Sequence, residues 1–141
     1  AMRFWDSSAL IPLLVGQPAS SRVDDWLAGD AAITIWTLTP VELSSALQRL
    51  LREGALNETL TEAAEQRMLE LVRACHVIVS IEHVKSQARR LLRLHPLRAA
   101  DALQLAAAVE WAGGRPQGRT LHTFDSRLAG AARREGFEVP A

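Results

Sequence analysis

The amino-acid sequence predicts an α/β domain whose central sheet, of four to five mostly parallel strands, is flanked by helices. Short apolar runs typical of strands alternate with helical segments from one end of the chain to the other. With 141 residues, the chain is long enough for one hydrophobic core and too short for two. Its composition, 48% hydrophobic and 23% charged, is that of an ordinary globular domain.

Residue patterns predict the order of elements in the first half of the chain. Serine or threonine at the start and glycine at the end delimit most of the helices. The predicted elements are a strand over Arg3–Trp5, a helix from Ser7 or Ser8 to Leu14, a helix from Ser20 or Ser21 to Gly29, a strand over Ala31–Trp36, a helix from Thr39 that stops at Gly54, and a helix from about Thr61 to Ala74.

The second half continues the alternation, with proline and a glycine-rich loop as its breaks. The predicted elements are a strand over His76–Val79, a helix from Ser80 that Pro96 terminates, an alanine-rich helix over Ala99–Trp111, a loop over Gly113–Gly118, a strand over Arg119–Phe124, a helix from Asp125 to Arg134, and a short fifth strand over Phe137–Val139. Such a sheet places its functional site at the carboxyl ends of the strands.

Four carboxylates are expected at that edge of the sheet. Asp6 and Asp125 directly follow strands, and Glu42 lies in the first turn of the helix after the second strand. Asp101 lies near the start of the alanine-rich helix and joins them if that helix begins at the same edge. The topology therefore predicts one acidic crevice.

Each carboxylate also has an ordinary structural interpretation. Thr39 and Glu42 have the spacing of a capping box, and Asp125 could cap the last helix. Asp101 could complement the positive end of its own helix, and Asp6 could be a turn residue after a strand. Taken singly, none of these carboxylates therefore indicates a role in chemistry.

The neighbours of Asp101 favour a functional role for the group as a whole. The segment from Leu97 to Ala108 is almost wholly apolar, and an unpaired charge in such surroundings is costly. A metal ion is one candidate partner, and four acids around one crevice repel each other unless cations offset them. Hard oxygen ligands select Mg²⁺ or Mn²⁺, which suit phosphodiester hydrolysis.

At these residues the sequence resembles the PIN-domain family and, within it, the VapC-like toxins of bacterial toxin–antitoxin pairs. Four pieces carry the resemblance, occur in family order and span nearly the whole chain. They are Asp6-Ser7-Ser8-Ala9-Leu10, Thr39-Pro40-Val41-Glu42-Leu43, Leu97-Arg98-Ala99-Ala100-Asp101-Ala102-Leu103-Gln104-Leu105-Ala106, and Leu121-His122-Thr123-Phe124-Asp125-Ser126-Arg127-Leu128-Ala129.

The resemblance implies a PIN-like three-layer fold and an endoribonuclease that depends on Mg²⁺ or Mn²⁺. It implies that the acidic site consists of Asp6, Glu42, Asp101 and Asp125. Ser7 and Thr123 would support the metal or its waters, although a helix cap is an equal interpretation of Ser7. A small VapB-like antitoxin, whose tail enters the active-site groove, and a toxin homodimer are implied as well.

Bulk charge gives no indication of nucleic-acid binding, because the formal net charge is zero. Contact with RNA would have to come from local groups, and the candidates are Arg115 and Arg119, which flank the glycine-rich loop. The arginines at 89, 90 and 93 are better explained by a solvated helix face. His122 is expected on a strand surface, and the four tryptophans are expected in the core or at an interface.

The cellular setting is expected to be the cytoplasm, without a membrane contact. No apolar run approaches the ~18 residues of a membrane span, and Asp6 comes too early for a signal peptide. The single cysteine, Cys75, excludes an internal disulfide and fits a reducing compartment. Ala1, ahead of Met2, resembles a residue left by cloning, so the predicted domain covers residues 2–141.

Three other functions remain open at this point. The chain could be a PIN-domain nuclease of RNA processing that has no antitoxin, or a PIN domain that only binds. A phosphorylation-controlled receiver domain has similar length and topology. Such a domain needs a lysine near its last strand, however, and Lys85 is the only lysine. The presence of all four acids argues against a purely binding role.

Overall fold

The computed structural model describes residues 2–141, which form four strands and seven helices. The strands are β1 (Arg3–Trp5), β2 (Ile33–Trp36), β3 (His76–Ile78) and β4 (Leu121–His122). The helices are α1 (Ser7–Leu14), α2 (Ser20–Gly29), α3 (Thr39–Arg52), α4 (Glu58–Ala74), α5 (Ile81–Leu94), α6 (Ala99–Trp111) and α7 (Ser126–Glu135).

The four strands form one parallel sheet in the order β3-β2-β1-β4. Phe4 pairs with both Thr34 and Leu121, and Trp36 pairs with Ile78. Because all the strands run the same way, the segments that follow them meet at a single edge. That edge carries the candidate site.

Helices cover both faces of the sheet and give it two apolar cores. Side chains alternate along a strand, so Phe4 enters one core and Trp5 the other. The Phe4 core contains α5, α6 and α7, whereas the Trp5 core contains α1 to α4. The predicted three-layer α/β architecture is therefore confirmed.

Alanines in α6 let this helix lie close against the sheet. Ala102, Ala106 and Ala107 are fully buried, and Leu105 beside them is buried as well. Full burial of a leucine side chain contributes roughly 1.5–3 kcal/mol. The close fit matters for the site because the first turn of α6 carries Asp101.

Two details differ from the sequence-based predictions. The expected strand over Phe137–Val139 is reduced to one parallel bridge between Thr120 and Glu138. Helix α4 begins at Glu58 rather than near Thr61, because the Asn57 side chain accepts a hydrogen bond from the Leu60 amide and caps it. None of the helices within residues 2–141 combines the length and the hydropathy needed to cross a bilayer.

Candidate active site

A cavity of about 500 Å³ opens at the carboxyl edge of the sheet, and all four predicted acids line it. We call it the acidic cavity. Asp6 follows β1, Glu42 lies in the first turn of α3, Asp101 lies in the first turn of α6, and Asp125 precedes α7. The structure thus brings together residues that are up to 119 positions apart in the chain.

Asp6 is held by hydroxyl groups at the bottom of this cavity. It is only 3% exposed and caps α1, accepting a hydrogen bond from the Ser8 amide at 3.3 Å. Its Oδ2 also accepts from Ser8 Oγ at 2.6 Å and from Thr123 Oγ1 at 2.8 Å. Burial nevertheless raises the pKa of Asp6 above its ordinary value, since these bonds only partly offset the loss of water.

Glu42 is oriented from two sides. The amide nitrogen of Gln104 donates to Oε2 at 2.9 Å, and Ser7 Oγ donates to Oε1 at 3.2 Å. Burial, followed by the charges of Asp6 and Asp101, raises the pKa of Glu42 to about 7. A carboxyl group with that pKa is divided between its two protonation states at neutral pH.

The capping-box interpretation of Glu42 is not what the structure shows. Leu38 occupies the cap position of α3, and Thr39 is already inside the helix. The Thr39 hydroxyl accepts instead from the Trp36 amide at 3.2 Å and from the Gln104 amide nitrogen at 3.1 Å. Glu42 is therefore free of a capping role and faces the cavity.

Asp125 lies close enough to Asp101 for its charge to affect the ionisation of Asp101. Burial raises the pKa of Asp101, and the charges of Asp125 and then Asp6 raise it further. Asp125 does cap α7, as its ordinary interpretation required, because Oδ1 accepts from the Leu128 amide at 2.9 Å. Capping occupies one of its two carboxylate oxygens and does not exclude a second role.

The donor set suits a hard divalent cation. Carboxylate and hydroxyl oxygens are the ligands that such cations prefer. Among residues 2–141, no three side chains of Asp, Glu, His or Cys converge closely enough to form a complete metal cage.

Two supporting residues escaped the sequence analysis as site residues. Gln104 is fully buried and lies one turn after Asp101 on α6, so it faces the same edge. An amide in an otherwise apolar helical run was the signal for it. Ser8, expected only as a helix cap, bonds Asp6 and accepts from the Phe124 amide at 2.9 Å, which ties α1 to the segment after β4.

The two arginines predicted to contact RNA lie away from the acids. Arg115 and Arg119 precede β4 and are therefore at the opposite edge of the sheet from Asp125, which follows it. The Arg119 guanidinium lies 5.1 Å from the ring centroid of Trp111. Neither residue lines the acidic cavity.

His122 is buried, and the expectation of a strand-surface histidine was wrong. Its ring stacks on Trp26 with centroids 4.2 Å apart, and Nε2 lies 3.3 Å from Nη1 of Arg3. Burial, with the Arg3 charge as the second cause, lowers the pKa of His122 to about 4. Helix α2 covers this position with Trp26, which the sequence around His122 does not reveal.

Comparison with known proteins identifies the family. The PIN-domain family model matches residues 3–134. Ribonuclease VapC45 of Mycobacterium tuberculosis (strain CDC 1551 / Oshkosh) is 32% identical over 137 residues, which are 96% of this chain and 92% of that protein. The chain therefore belongs to the PIN-domain family, as its sequence motifs indicate.

Solved structures show the same fold. FitAcB from Neisseria gonorrhoeae has a TM-score of 0.68 at 19% identity, over 100% of this chain and 97% of that one. A toxin–antitoxin complex from Klebsiella pneumoniae has a TM-score of 0.64 at 19% identity, over 91% of each chain. Both likenesses extend over nearly the whole α/β architecture.

Proposed function

We propose that residues 2–141 act as one PIN domain, a metal-dependent endoribonuclease that is the toxin of a VapBC-type toxin–antitoxin pair. The observation that carries this proposal is the convergence of Asp6, Glu42, Asp101 and Asp125 on one cavity. Membership of the PIN family and the likeness to a curated ribonuclease supply the reaction class.

The chemistry follows from the way in which the acids are held. Asp6, Asp101 and Asp125, with Glu42, would hold Mg²⁺ or Mn²⁺, directly or through water, supported by the hydroxyls of Ser7 and Thr123. The cation would lower the pKa of a bound water and offset the charge of the phosphodiester. Ser8 and Thr123 fix the carboxylate of Asp6, while Gln104 and Ser7 fix that of Glu42.

Cleavage of RNA tests the assignment of the site. Total RNA is incubated with the protein in Mg²⁺, in Mn²⁺ and in chelator, and the cut positions are mapped by sequencing of the ends. Asp6→Asn and Asp101→Asn should each reduce the rate by orders of magnitude while the fold is retained. Asp24→Asn, which removes an exposed acid from α2, is the matched control and should retain activity. Full activity of both site variants would refute the assignment.

An antitoxin partner is the second part of the proposal. Two apolar cavities, of about 500 and 460 Å³, lie on either side of Arg67 on α4. Leu71 lines the first cavity and Leu50 the second. A helix with an apolar face fits such a groove. Leu43, Leu47 and Met68 on the same two helices are buried in the core and line neither cavity.

Purification with the neighbouring gene product tests the antitoxin proposal. A bound small protein that suppresses cleavage supports the toxin function. An active protein that co-purifies with no small protein, and whose cleavage the neighbouring gene product does not suppress, supports the alternative, a PIN-domain nuclease of RNA processing. A protein that binds RNA but leaves it intact under every metal condition would be a binding module. We place the activity in the cytoplasm, where such a nuclease meets its RNA.

We also propose a homodimer. Four large apolar side chains remain exposed after the ends of the neighbouring strands β2 and β3: Leu38, Val41, Val79 and Ile81. Association of two copies over these residues would cover them and place the two acidic cavities near the interface, since Val41 lines the cavity. Light scattering at several protein concentrations tests this, and a strictly monomeric mass contradicts it.

A further inference from the structure

A second cavity adjoins the acidic cavity and shares two of its acids. It has a volume of about 360 Å³ and is lined by Arg98, Arg127 and Ser126 together with Asp101 and Asp125. Asp101 and Asp125 therefore stand between two openings that together form one groove across the carboxyl edge of the sheet. We call it the edge groove.

Each half of the edge groove contains arginine. Arg49 lines the acidic cavity and lies two helical turns after Glu42, on the same face of α3. Arg127 lies in the first turn of α7 and Arg98 immediately before α6, so both reach the second half. Arginine at both ends and carboxylates in the middle give the groove a pattern of charge: positive, negative, positive.

These guanidinium groups are available for an anion. Arg49, Arg98 and Arg127 are exposed, and within residues 2–141 none of them forms an ion pair with a carboxylate. The charge of Arg98 does act on Asp101 from a distance and lowers its pKa. By contrast, Arg90 is committed to Glu135 at 2.7 Å. A guanidinium fork matches the oxygens of a phosphate and stays charged at every working pH.

The net charge of the protein makes local placement decisive. With a formal net charge of zero, the chain has no overall field to hold a polyanion. A nucleic acid has to be gripped where positive charge is concentrated, and its cleaved linkage must at the same time reach the four acids. The edge groove meets both requirements because its arginines lie on either side of them.

We propose that Arg49 and Arg127 bind the backbone phosphates on opposite sides of the cleaved linkage, with Arg98 as a second contact on the Arg127 side. This inference rests on the proposed ribonuclease function. It assigns a path to the bound strand, which crosses the edge groove from α3, over Asp101 and Asp125, to α7. The arginines are substrate-binding groups that hold single-stranded RNA by its backbone, whatever its bases.

The proposal is tested by removing the charge of one RNA phosphate at a time and measuring the effect on binding. The probe is a fluorescein-labelled single-stranded RNA of about twelve nucleotides that contains the mapped cleavage site. It is made as a set in which one phosphodiester at a time becomes an uncharged methylphosphonate. Binding is measured by anisotropy in the Asp101→Asn background and again in chelator without that substitution. Arg49→Gln and Arg127→Gln are compared with Arg52→Gln on α3 and Arg89→Gln on α5, which remove equal charge outside the groove.

Each groove variant should weaken binding about tenfold and reduce the dependence of log Kd on log salt by about 0.7, whereas the controls change Kd less than about twofold. A methylphosphonate at the phosphate that Arg49 contacts should weaken binding to the wild type but leave the Kd of Arg49→Gln unchanged, because that contact is already lost. A methylphosphonate at a second linkage, on the other side of the cleaved one, should in the same way leave the Kd of Arg127→Gln unchanged. The inference is overturned if the groove variants bind RNA as tightly as their controls, or if their Kd still responds to every methylphosphonate as that of the wild type does. Cleavage by the wild type would in that case still support the nuclease function. If the wild type cleaves no RNA, the proposed function fails and this inference fails with it.

Discussion

The amide nitrogen of Gln104 lies 2.9 Å from Oε2 of Glu42 and connects the helix that carries Asp101 to the helix that carries Glu42. The same nitrogen donates to Oγ1 of Thr39 at 3.1 Å, so one buried amide fixes the start of α3 in two places. Removing a hydrogen bond that orients a metal-binding or catalytic carboxylate commonly lowers metal affinity or activity by 10–100-fold.

Replacing Gln104 by leucine should slow RNA cleavage about tenfold at neutral pH. The hydrogen bond from Gln104 lowers the pKa of Glu42, so its loss raises that pKa further above 7. If ionised Glu42 is needed, the plateau of kcat/KM should move to higher pH. Gln48→Leu, on the exposed part of α3, is the control. A folded Gln104→Leu protein whose pH profile matches that of the wild type would contradict this role.

Replacing Thr123 by valine should reduce both stability and activity. Thr123 Oγ1 donates to Asp6 at 2.8 Å and accepts from the Asp125 amide at 3.0 Å, and valine has nearly the same shape. Asp6 then keeps its bonds from Ser8, and the Asp125 amide loses its acceptor, which costs about 1–3 kcal/mol of unfolding free energy. The substitution also allows two of the acids to move.

Thr34→Val provides the comparison for Thr123→Val. Thr34 is buried as well, but within residues 2–141 its hydroxyl makes only a long contact of 3.6 Å with the sulfur of Met2. Urea denaturation and cleavage assays on the two variants separate loss of the hydroxyl from the general effect of a buried valine. Equal stability losses, with activity intact in both, would show that the Thr123 hydroxyl has no special part in the site.

His122 should make the protein lose stability as pH falls. Its pKa is about 4 in the folded state and ordinarily about 6.5, so the unfolded chain takes up its proton first. The stabilisation is fully present above pH 6.5 and is lost as pH falls through 4. His122→Gln should lower the drop in unfolding free energy between pH 7 and pH 4 by roughly 2 kcal/mol. Parallel stability curves for the two proteins, from urea titrations at each pH, would refute this.

The sequence predicted those parts of the fold and site that depend on local pattern. The alternation of strands and helices placed Asp6 and Asp125 after strands, and chain direction in a parallel sheet then brought them to one edge. Features that depend on tertiary contacts could not be read in this way. His122 became buried because Trp26 covers it, and Phe137–Val139 pairs too briefly to form a strand. The apolar run around Gln104 is a signal in the sequence, but its bond to Glu42 could be recognised only once α6 was known to face α3.

The last prediction concerns the repulsion among the four acids in the absence of metal. Burial and neighbouring charge raise the pKa of Glu42 to about 7 and also raise the pKa of Asp101. A carboxyl group with a raised folded pKa stabilises the fold below its ordinary pKa, and that stabilisation is lost as pH rises through the folded value. In the metal-free protein, Glu42 and Asp101 are therefore expected to make the free energy of unfolding smaller at pH 7 than at pH 5.5. His122 acts in the opposite direction over part of this interval, so the comparison is best made in the His122→Gln background.

In that background Asp101→Asn removes one of the repelling charges and should melt higher than its parent in chelator at pH 7, with the difference shrinking toward pH 5.5. Asp24→Asn, an exposed acid on α2, should leave the melting temperature nearly unchanged. If Asp101 served only to complement the positive end of α6, its replacement would lower the melting temperature at both pH values.

Mn²⁺ at a hundredfold excess over its dissociation constant should stabilise the parent by about 2.7 kcal/mol, and Asp101→Asn should lose most of that response. Thermal melts of the parent and the two variants, in chelator and in Mn²⁺ at both pH values, measure these differences in melting temperature. An Asp101→Asn protein that melts lower in chelator, beside a parent that does not respond to Mn²⁺, would show that these acids do not form a metal-binding cluster.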